Sequence, residues 1–234
     1  NEEALGVNSR AQLAEAERLL RERTNKQLMA DGVTLIDPAT TYVDTTVKVG
    51  RDTILHPGTV LQGNTVIGEN CEIGPYTRLT NVTVGDDNVI HFTYAHDCVM
   101  EDGVILGQFT HIRPDTRLAE KVKIGNFVEV KNSTIGKGSK LPHLSYIGDT
   151  DMGSGVNMGC GTITVNYDGK TKFRTKIGND AFVGCNSNLV APVEVEDGAY
   201  VGAGSTITKT VPTGTLAIAR ARQKNIDGWT DKRN

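Results

Sequence analysis

The stretch from residue 55 to residue 79 reads LHPGTVLQGNTVIGENCEIGPYTRL, and an aliphatic residue stands at every sixth position of it. Glycine often follows the aliphatic residue, as in Ile67-Gly68 and Ile73-Gly74. A helix does not tolerate glycine at this density, and neither a helix nor a meander of hairpins repeats every six residues. A coil of three short strands does, if each strand contributes one inward aliphatic side chain and the chain turns at glycine-rich corners. The sequence therefore predicts a β-solenoid.

The six-residue period continues through most of the chain, with one-residue slips before Val84 and Ile135. Beyond residue 79 the aliphatic positions are Val84, Ile90, Leu106, Ile112, Leu118, Ile124, Val130, Ile135, Leu141, Ile147, Ile177, Val183, Leu189, Val195, Val201 and Ile207. Three hexads make one coil that rises by about 4.8 Å, so residues 55–211 should form about nine coils. Because only 5% of the residues are aromatic, this aliphatic column must supply most of the core.

The repeat resembles the left-handed parallel β-helix of the hexapeptide-repeat acyltransferases. That resemblance implies the left-handed coiling and a homotrimer, neither of which follows from the period itself. We therefore predict an all-β, left-handed parallel β-helix over residues 33–211, with a loop excursion at 164–176 and a C-terminal tail at 212–234.

A helical pattern precedes the repeat. Ser9 and Gln12 form a capping-box pattern, and the helical spacing is then carried by Leu13, Ala16, Leu20, Thr24 and Leu28. Charged residues crowd the opposite face, which favours a connector lying on a neighbouring domain over a core element. Because the sequence begins at Asn1 without a methionine, we expect residues 1–32 to connect to a missing N-terminal part.

Composition excludes several classes of function. The net charge of -3, from 25 basic and 28 acidic residues, gives no whole-molecule reason to bind nucleic acid. No apolar run is long enough for a membrane span, and the first residues lack a signal-peptide pattern, so we expect a cytoplasmic protein. The four cysteines Cys71, Cys98, Cys160 and Cys185 are scattered without a C-x-x-C motif, which favours reduced thiols over disulfides or a metal site.

The repeat also places charged residues. Arg113 and Lys131 each follow a hexad aliphatic and lie 18 residues apart, so they should stack on one corner of the solenoid. Two like charges about one strand spacing apart repel unless an anion neutralises them, which predicts a phosphate site. The alternative is two solvated cations.

The longest interruption of the repeat is basic as well. The segment from Thr164 to Lys176 reads TVNYDGKTKFRTK. Excursions from a regular scaffold often carry sites, and a basic loop suits an anionic substrate. The alternative is that the charged side chains of this segment are solvated and bind nothing.

Several segments carry a closer resemblance. They are GNFVEVK at 125–131, GKGSK at 136–140, HLSYIG at 143–148, Asn157, GTI at 161–163 and NYDG at 166–169. Together they resemble the C-terminal acetyltransferase domain of the bacterial bifunctional enzymes that make UDP-N-acetylglucosamine. The resemblance spans essentially the whole chain, whereas the uridyltransferase domain of that family, for which Mg²⁺ would be expected, has no counterpart here.

The resemblance implies an activity and a set of residues. Acetyl would move from acetyl-CoA to the 2-amino group of glucosamine 1-phosphate, and His143 would be the general base. Glu129, which coil arithmetic stacks on Tyr146, is our hypothesis for the carboxylate that orients His143. The resemblance implies sugar-phosphate binding by Arg113, Lys131, Tyr146, Asn157, Asn166, Tyr167 and Lys172, with Asn166 also counted as catalytic. It implies acetyl-CoA binding by Cys160, Asn166, Tyr167, Cys185, Ala203 and Arg220.

Two functions of other classes stay open on the sequence. His56 and His91 each follow a hexad aliphatic, and His96 comes five residues later, which is similar to the zinc histidines of γ-class carbonic anhydrases. A structural solenoid without catalysis is the other alternative. The working hypothesis is an acetyltransferase that feeds UDP-N-acetylglucosamine and peptidoglycan synthesis and binds no metal in this domain.

Overall fold

The fold is a parallel β-solenoid with a helix at its start, seen in a computed structural model that describes residues 6–230. Three short strands make each coil, and corresponding strands of successive coils pair in parallel to form three faces. The predicted fold class is thereby confirmed in its parallel coils and its leading helix.

The strands fall into three stacks. The first face contains Thr34–Leu35, Ile54–Leu55, Glu72–Ile73, Val89–Ile90, Ile105–Leu106, the start of Lys123–Lys131, the start of Lys140–Gly148, Asn157–Met158, Phe182–Val183, Tyr200–Val201 and Leu216–Ala217. The second contains Tyr42–Val43, Val60–Gln62, Arg78–Thr80, Tyr94–His96, His111–Ile112, the ends of the two long strands, Ile163–Val165, Asn188–Val190 and Thr206–Ile207. The third contains Lys48–Val49, Val66–Ile67, Thr83–Val84, Cys98–Met100, Thr116–Leu118, Thr134–Ile135, Thr150–Met152, Thr175–Ile177 and Val193–Val195.

The core is the aliphatic column that the period predicts. Leu55, Leu79, Ile112, Leu141 and Val183 are all 0% exposed, and each belongs to the six-residue series. Burying a side chain of this size contributes about 1.5 to 3 kcal/mol, so a column repeated through every coil accounts for much of the stability.

A second, polar column lies inside the corners, and the period did not reveal it. Thr53, Thr59, Thr65 and Thr162 are fully buried. Their hydroxyl groups donate to backbone carbonyls at the corners, as Thr59 does to His56 O at 2.7 Å and Thr162 does to Gly159 O at 2.7 Å. A buried hydroxyl is stable only when it is hydrogen-bonded, and here each one ties a corner of the coil.

The helix spans Arg10–Ala30 and covers the first coils with its last turns. Ser9 accepts a hydrogen bond from Gln12 N at 3.2 Å, which confirms the predicted N-cap. Leu28 is buried and Asn25 donates to Thr41 O, whereas Leu20 is 49% exposed. The helix end therefore covers the open edge of the first coils, and such edges otherwise invite pairing with another chain.

Candidate active site

Two long strands organise the candidate site. Lys123–Lys131 and Lys140–Gly148 run through the corner between the first and second faces without a break. Their register pairs Asn126 with His143 and Glu129 with Tyr146, so the predicted stacking of Glu129 on Tyr146 is confirmed. His143 stands exposed at the corner, and its carbonyl accepts the Ser145 hydroxyl at 2.8 Å. The imidazole is therefore open to a ligand that lies against the second face.

The predicted cation pair is present on this face. Ile112 pairs with Val130, and Arg113 N donates to Val130 O at 2.8 Å, which places Arg113 beside Lys131. The Arg113 guanidinium donates to Glu129 Oε1 at 2.8 Å. One of the two stacked cations is thus paired within the protein.

The contact with Arg113 bears on the role predicted for Glu129. Its carboxylate contacts Arg113, and within residues 6–230 no hydrogen bond joins it to His143. His143 is instead in register with Asn126. In this structure Glu129 holds an arginine of the cation group, and the orienting role expected for it has no contact to support it.

The basic loop brings a third cation to the group. Tyr167 and Lys172 form an antiparallel bridge, and Asp168 Oδ1 accepts from Lys170 N and Thr171 N at 2.8 and 2.7 Å. This turn returns Lys172 to Lys131. The close side-chain approach of Lys131 lowers the pKa of Lys172, and Asp149 and Tyr146 act in the opposite direction. Two ammonium groups held this close favour an anion between them.

The other basic residues of the loop do not all join this group. Arg174 Nε donates to Asp151 Oδ2 at 2.9 Å, and the side chain of Lys170 is exposed. Arg174 therefore fastens the loop to the third face, and of these residues it is Lys172 that meets Lys131.

A buried polar cluster lies behind the cations. Asn166 Nδ2 donates to Asp149 Oδ2 and lies 3.5 Å from the Tyr146 hydroxyl. A Cβ atom on Gly148 would come within 2.5 Å of that hydroxyl and 2.7 Å of Asn166 Nδ2, so a side chain here would displace Tyr146 or Asn166. The sequence reasoning missed Asp149, because its spacing matches a corner residue and nothing in the pattern distinguishes a buried corner carboxylate from an exposed one.

Four of the six residues expected to bind acetyl-CoA lie along one corner, whereas Asn166 and Tyr167 belong to the basic loop. Cys160, Cys185 and Ala203 follow Gly159, Gly184 and Gly202, which occupy the same position in successive coils. Asn186 N donates to Cys160 O at 2.7 Å, and the Arg220 guanidinium donates to Ala203 O at 2.7 Å. Asn157 lies on the first face, in register with Lys140.

The coils approach each other closely at these glycines. A Cβ on Gly159 would come within 2.5 Å of Cys185 N, and one on Gly184 within 2.5 Å of Ala203 N. A side chain at either position would clash with the backbone of the next coil, so this corner stays free of side chains at its glycines.

Comparison with known proteins identifies the family. A family described as bacterial transferase hexapeptide (six repeats) matches residues 46–81 and 174–209. The bifunctional protein GlmU of Geobacillus sp. (strain WCH70) is 55% identical over 231 residues, which cover 99% of this chain and 50% of that protein. The chain carries the repeats of the bacterial hexapeptide transferases.

Other relatives agree. The bifunctional protein GlmU of Caldanaerobacter subterraneus subsp. tengcongensis is 54% identical over 233 residues, which cover 100% of this chain and 51% of that protein. The chain thus spans about half the length of the curated relatives it matches, and the resemblance drawn from the GNFVEVK and HLSYIG segments is confirmed. A solved UDP-N-acetylglucosamine acyltransferase of Francisella novicida shares the fold, with a TM-score of 0.51 and 18% identity over 77% of this chain and 66% of that chain.

The hexapeptide-repeat chain does not assemble the alternative zinc site. His56 Nε2 and His91 Nε2 lie 2.9 and 3.5 Å from Glu72 Oε1. His96 instead contacts Asp97 at 3.1 Å and stacks on Tyr94. Residues 6–230 contain no group of three or more histidine, cysteine, aspartate or glutamate side chains that could hold a metal ion. The carbonic-anhydrase alternative is therefore not favoured.

No helix in residues 6–230 of this hexapeptide-repeat chain is long and apolar enough to cross a membrane.

Proposed function

We propose that this chain transfers acetyl from acetyl-CoA to the 2-amino group of glucosamine 1-phosphate, giving N-acetylglucosamine 1-phosphate. One observation carries the proposal: Arg113, Lys131 and Lys172 lie together at the end of the second face, and His143 stands at the corner where the neighbouring long strand enters that face. A sugar phosphate has an anion at one end and an amine a few ångströms away, and this face offers cations for the first and an imidazole for the second. The names of the relatives and their sequence identity of 54 to 55% to this chain support the same activity.

The proposed reaction uses these groups in sequence. The cations hold the phosphate, and Tyr146, Asn157, Asn166 and Tyr167 orient the sugar. The uncharged amine attacks the thioester carbonyl, so a C–N bond forms as the oxygen becomes an oxyanion. His143 accepts the proton that the nitrogen loses, and the C–S bond then breaks to release the CoA thiolate, which takes up a proton. The transfer is direct and needs no cysteine nucleophile.

Acetyl-CoA would be bound mainly by backbone amides. Amides near Cys160, Cys185 and Ala203 would stabilise the oxyanion, because donors fixed in place cost no reorganisation during the reaction. Arg220 would meet the cofactor's phosphates. We assign no role to the two thiol groups.

We also propose that the enzyme is a cytoplasmic homotrimer with its sites at subunit boundaries. Tyr76, Phe92, Phe109 and Phe127 form an aromatic ridge with ring centroids 5.3 to 5.9 Å apart. Phe109 and Phe127 are each 58% exposed, and both have a φ of 58°, which is unusual for aromatic residues. Exposed, strained aromatic residues beside Asn126 and His143 suit contact with another copy.

The activity is tested by mass-spectrometric detection of N-acetylglucosamine 1-phosphate from glucosamine 1-phosphate and acetyl-CoA. Lys172→Ala should raise KM for the sugar phosphate about 10- to 100-fold, because a charge-assisted contact is lost. Lys170→Ala, in the same loop, should leave KM unchanged. No product from folded wild-type protein would reject the function, and equal KM values in the two variants would reject the role of Lys172.

The trimer is tested at the aromatic ridge. Phe109→Asp should convert the trimer to monomers in analytical ultracentrifugation, because each buried aromatic side chain contributes about 1.5 to 3 kcal/mol and a carboxylate opposes burial. Ile36→Asp is the matched control, since Ile36 is 56% exposed and lies in the first coil. A trimer that persists in Phe109→Asp, or a monomeric wild type, would contradict the assignment.

A further inference from the structure

Asp149 is the buried carboxylate behind the candidate site. It is 4% exposed and has a φ of 50°, a left-handed conformation that aspartate and asparagine tolerate better than most residues. Its two carboxylate oxygens accept hydrogen bonds from Asn132 Nδ2 and Asn166 Nδ2. Burial of a carboxylate costs free energy unless its oxygens are paired, and here amides rather than a salt bridge pair them.

These contacts join the loop to the coils. Asn132 belongs to the preceding coil and Asn166 opens the basic loop, whose far end returns as Thr175 N donates to Asp149 O at 3.0 Å. Phe173 N donates to Asn166 O at 2.9 Å, so Phe173, which follows Lys172, is hydrogen-bonded to the same asparagine. Asp149 therefore contacts both ends of the loop that carries Lys172.

The charge of Asp149 acts on the same lysine. Lys131 lowers the pKa of Lys172 by close side-chain approach, while Asp149 and Tyr146 are the groups that raise it. Because its oxygens are occupied by amides, Asp149 supplies negative charge without occupying the space between the two ammonium groups. Among residues 6–230 neither lysine forms an ion pair with a carboxylate, so the space between them is open to an incoming phosphate.

We propose that Asp149 is a positioning residue for the phosphate site: its carboxylate anchors the basic loop through Asn166 and so places Lys172 beside Lys131. The inference rests on the proposed function for its effect on catalysis. The charge effect itself does not depend on turnover.

Asp149→Asn tests the proposal with little change in shape. It should raise KM for glucosamine 1-phosphate about 10- to 100-fold while KM for acetyl-CoA stays the same, because the loop and the charge are both disturbed. Asp115→Asn is the matched control: Asp115 has a φ of 61° at the same corner of an earlier coil, and its side chain is exposed. Circular dichroism and Tm show whether each variant is folded.

The pH dependence separates positioning from a merely structural role. Without the Asp149 charge, Lys172 should lose its proton at lower pH, so KM should begin to rise at a lower pH in Asp149→Asn than in the wild type. Carbon NMR of lysine-labelled protein, with the Lys172 signal assigned by Lys172→Arg, measures this titration directly. The expected result is a lower midpoint in Asp149→Asn and an unchanged one in Asp115→Asn.

The outcomes are distinct. Unchanged KM and an unchanged Lys172 midpoint in Asp149→Asn overturn the inference. A wild type that folds but makes no product rejects the proposed function, and the NMR titration alone then decides whether Asp149 charges Lys172. If Asp149→Asn does not fold, Asp149→Gly removes the carboxylate at a φ of 50°, which glycine adopts without strain, and an unchanged KM for the sugar phosphate with an unchanged Lys172 midpoint in that variant overturns the inference.

Discussion

Replacing His143 with alanine is expected to lower kcat for acetyl transfer about 100- to 10,000-fold, the usual contribution of a positioned general base. The amine of the sugar becomes a better leaving group than the thiolate if it keeps its proton, so the intermediate returns to reactants without a base. Because His143 is not among the cations that hold the phosphate, KM for glucosamine 1-phosphate should change little. Product formation followed by mass spectrometry gives both constants.

The control is another corner histidine. His91 lies on the same corner several coils away and faces Glu72, so His91→Ala should keep full activity. Full kcat in His143→Ala would remove His143 from the role of base while leaving the acetyltransferase assignment in place. Equal losses in both variants would point to a general loss of structure.

Gly125→Ala is expected to destabilise the protein by about 3 kcal/mol or more, since overpacking against backbone cannot be relieved by a side-chain rotation. A Cβ atom at this position would lie 1.7 Å from Pro142 O and 2.5 Å from Pro142 C. The two long strands would have to separate where Asn126 and His143 are in register. Differential scanning calorimetry should show a fall in Tm of about 6 to 12 °C.

Gly138→Ala isolates the backbone strain that replacing a glycine can cause. Gly138 has a φ of 69° and no heavy atom within 4 Å of an added Cβ, so alanine there suffers backbone strain without a clash. It should cost only about 1 to 2 kcal/mol. Equal Tm values for the two variants would show that the long strands can part without penalty.

The fold was predictable because one signal repeats. Each coil restates the same inward aliphatic position, so even the slips at Val84 and Ile135 could be located from the sequence. The same arithmetic predicted that Arg113 lies beside Lys131 and Glu129 beside Tyr146, and the register confirms both. The left-handed coiling stays a prediction from the resemblance, because the six-residue period does not determine the handedness of the solenoid.

The details of the site depend on contacts that no period records. The approach of Lys172 to Lys131 follows from the path of an irregular loop. The pairing of Glu129 with Arg113 is a choice of side-chain rotamer between neighbours in register. The burial of Asp149 results from the loop folding over it, so a sequence that shows a corner aspartate does not show a buried one.

The basic loop has a consequence for how such a protein can change over time. Ile163 pairs with Asn188 on the second face at an offset of 25 residues, yet Phe182 still pairs with Tyr200 at the usual 18. Extra residues have therefore entered at one corner without displacing the coils on either side. Because each coil contacts only its neighbours, evolution or an engineer could exchange this loop, and Lys172 with it, while the scaffold and His143 stay in place.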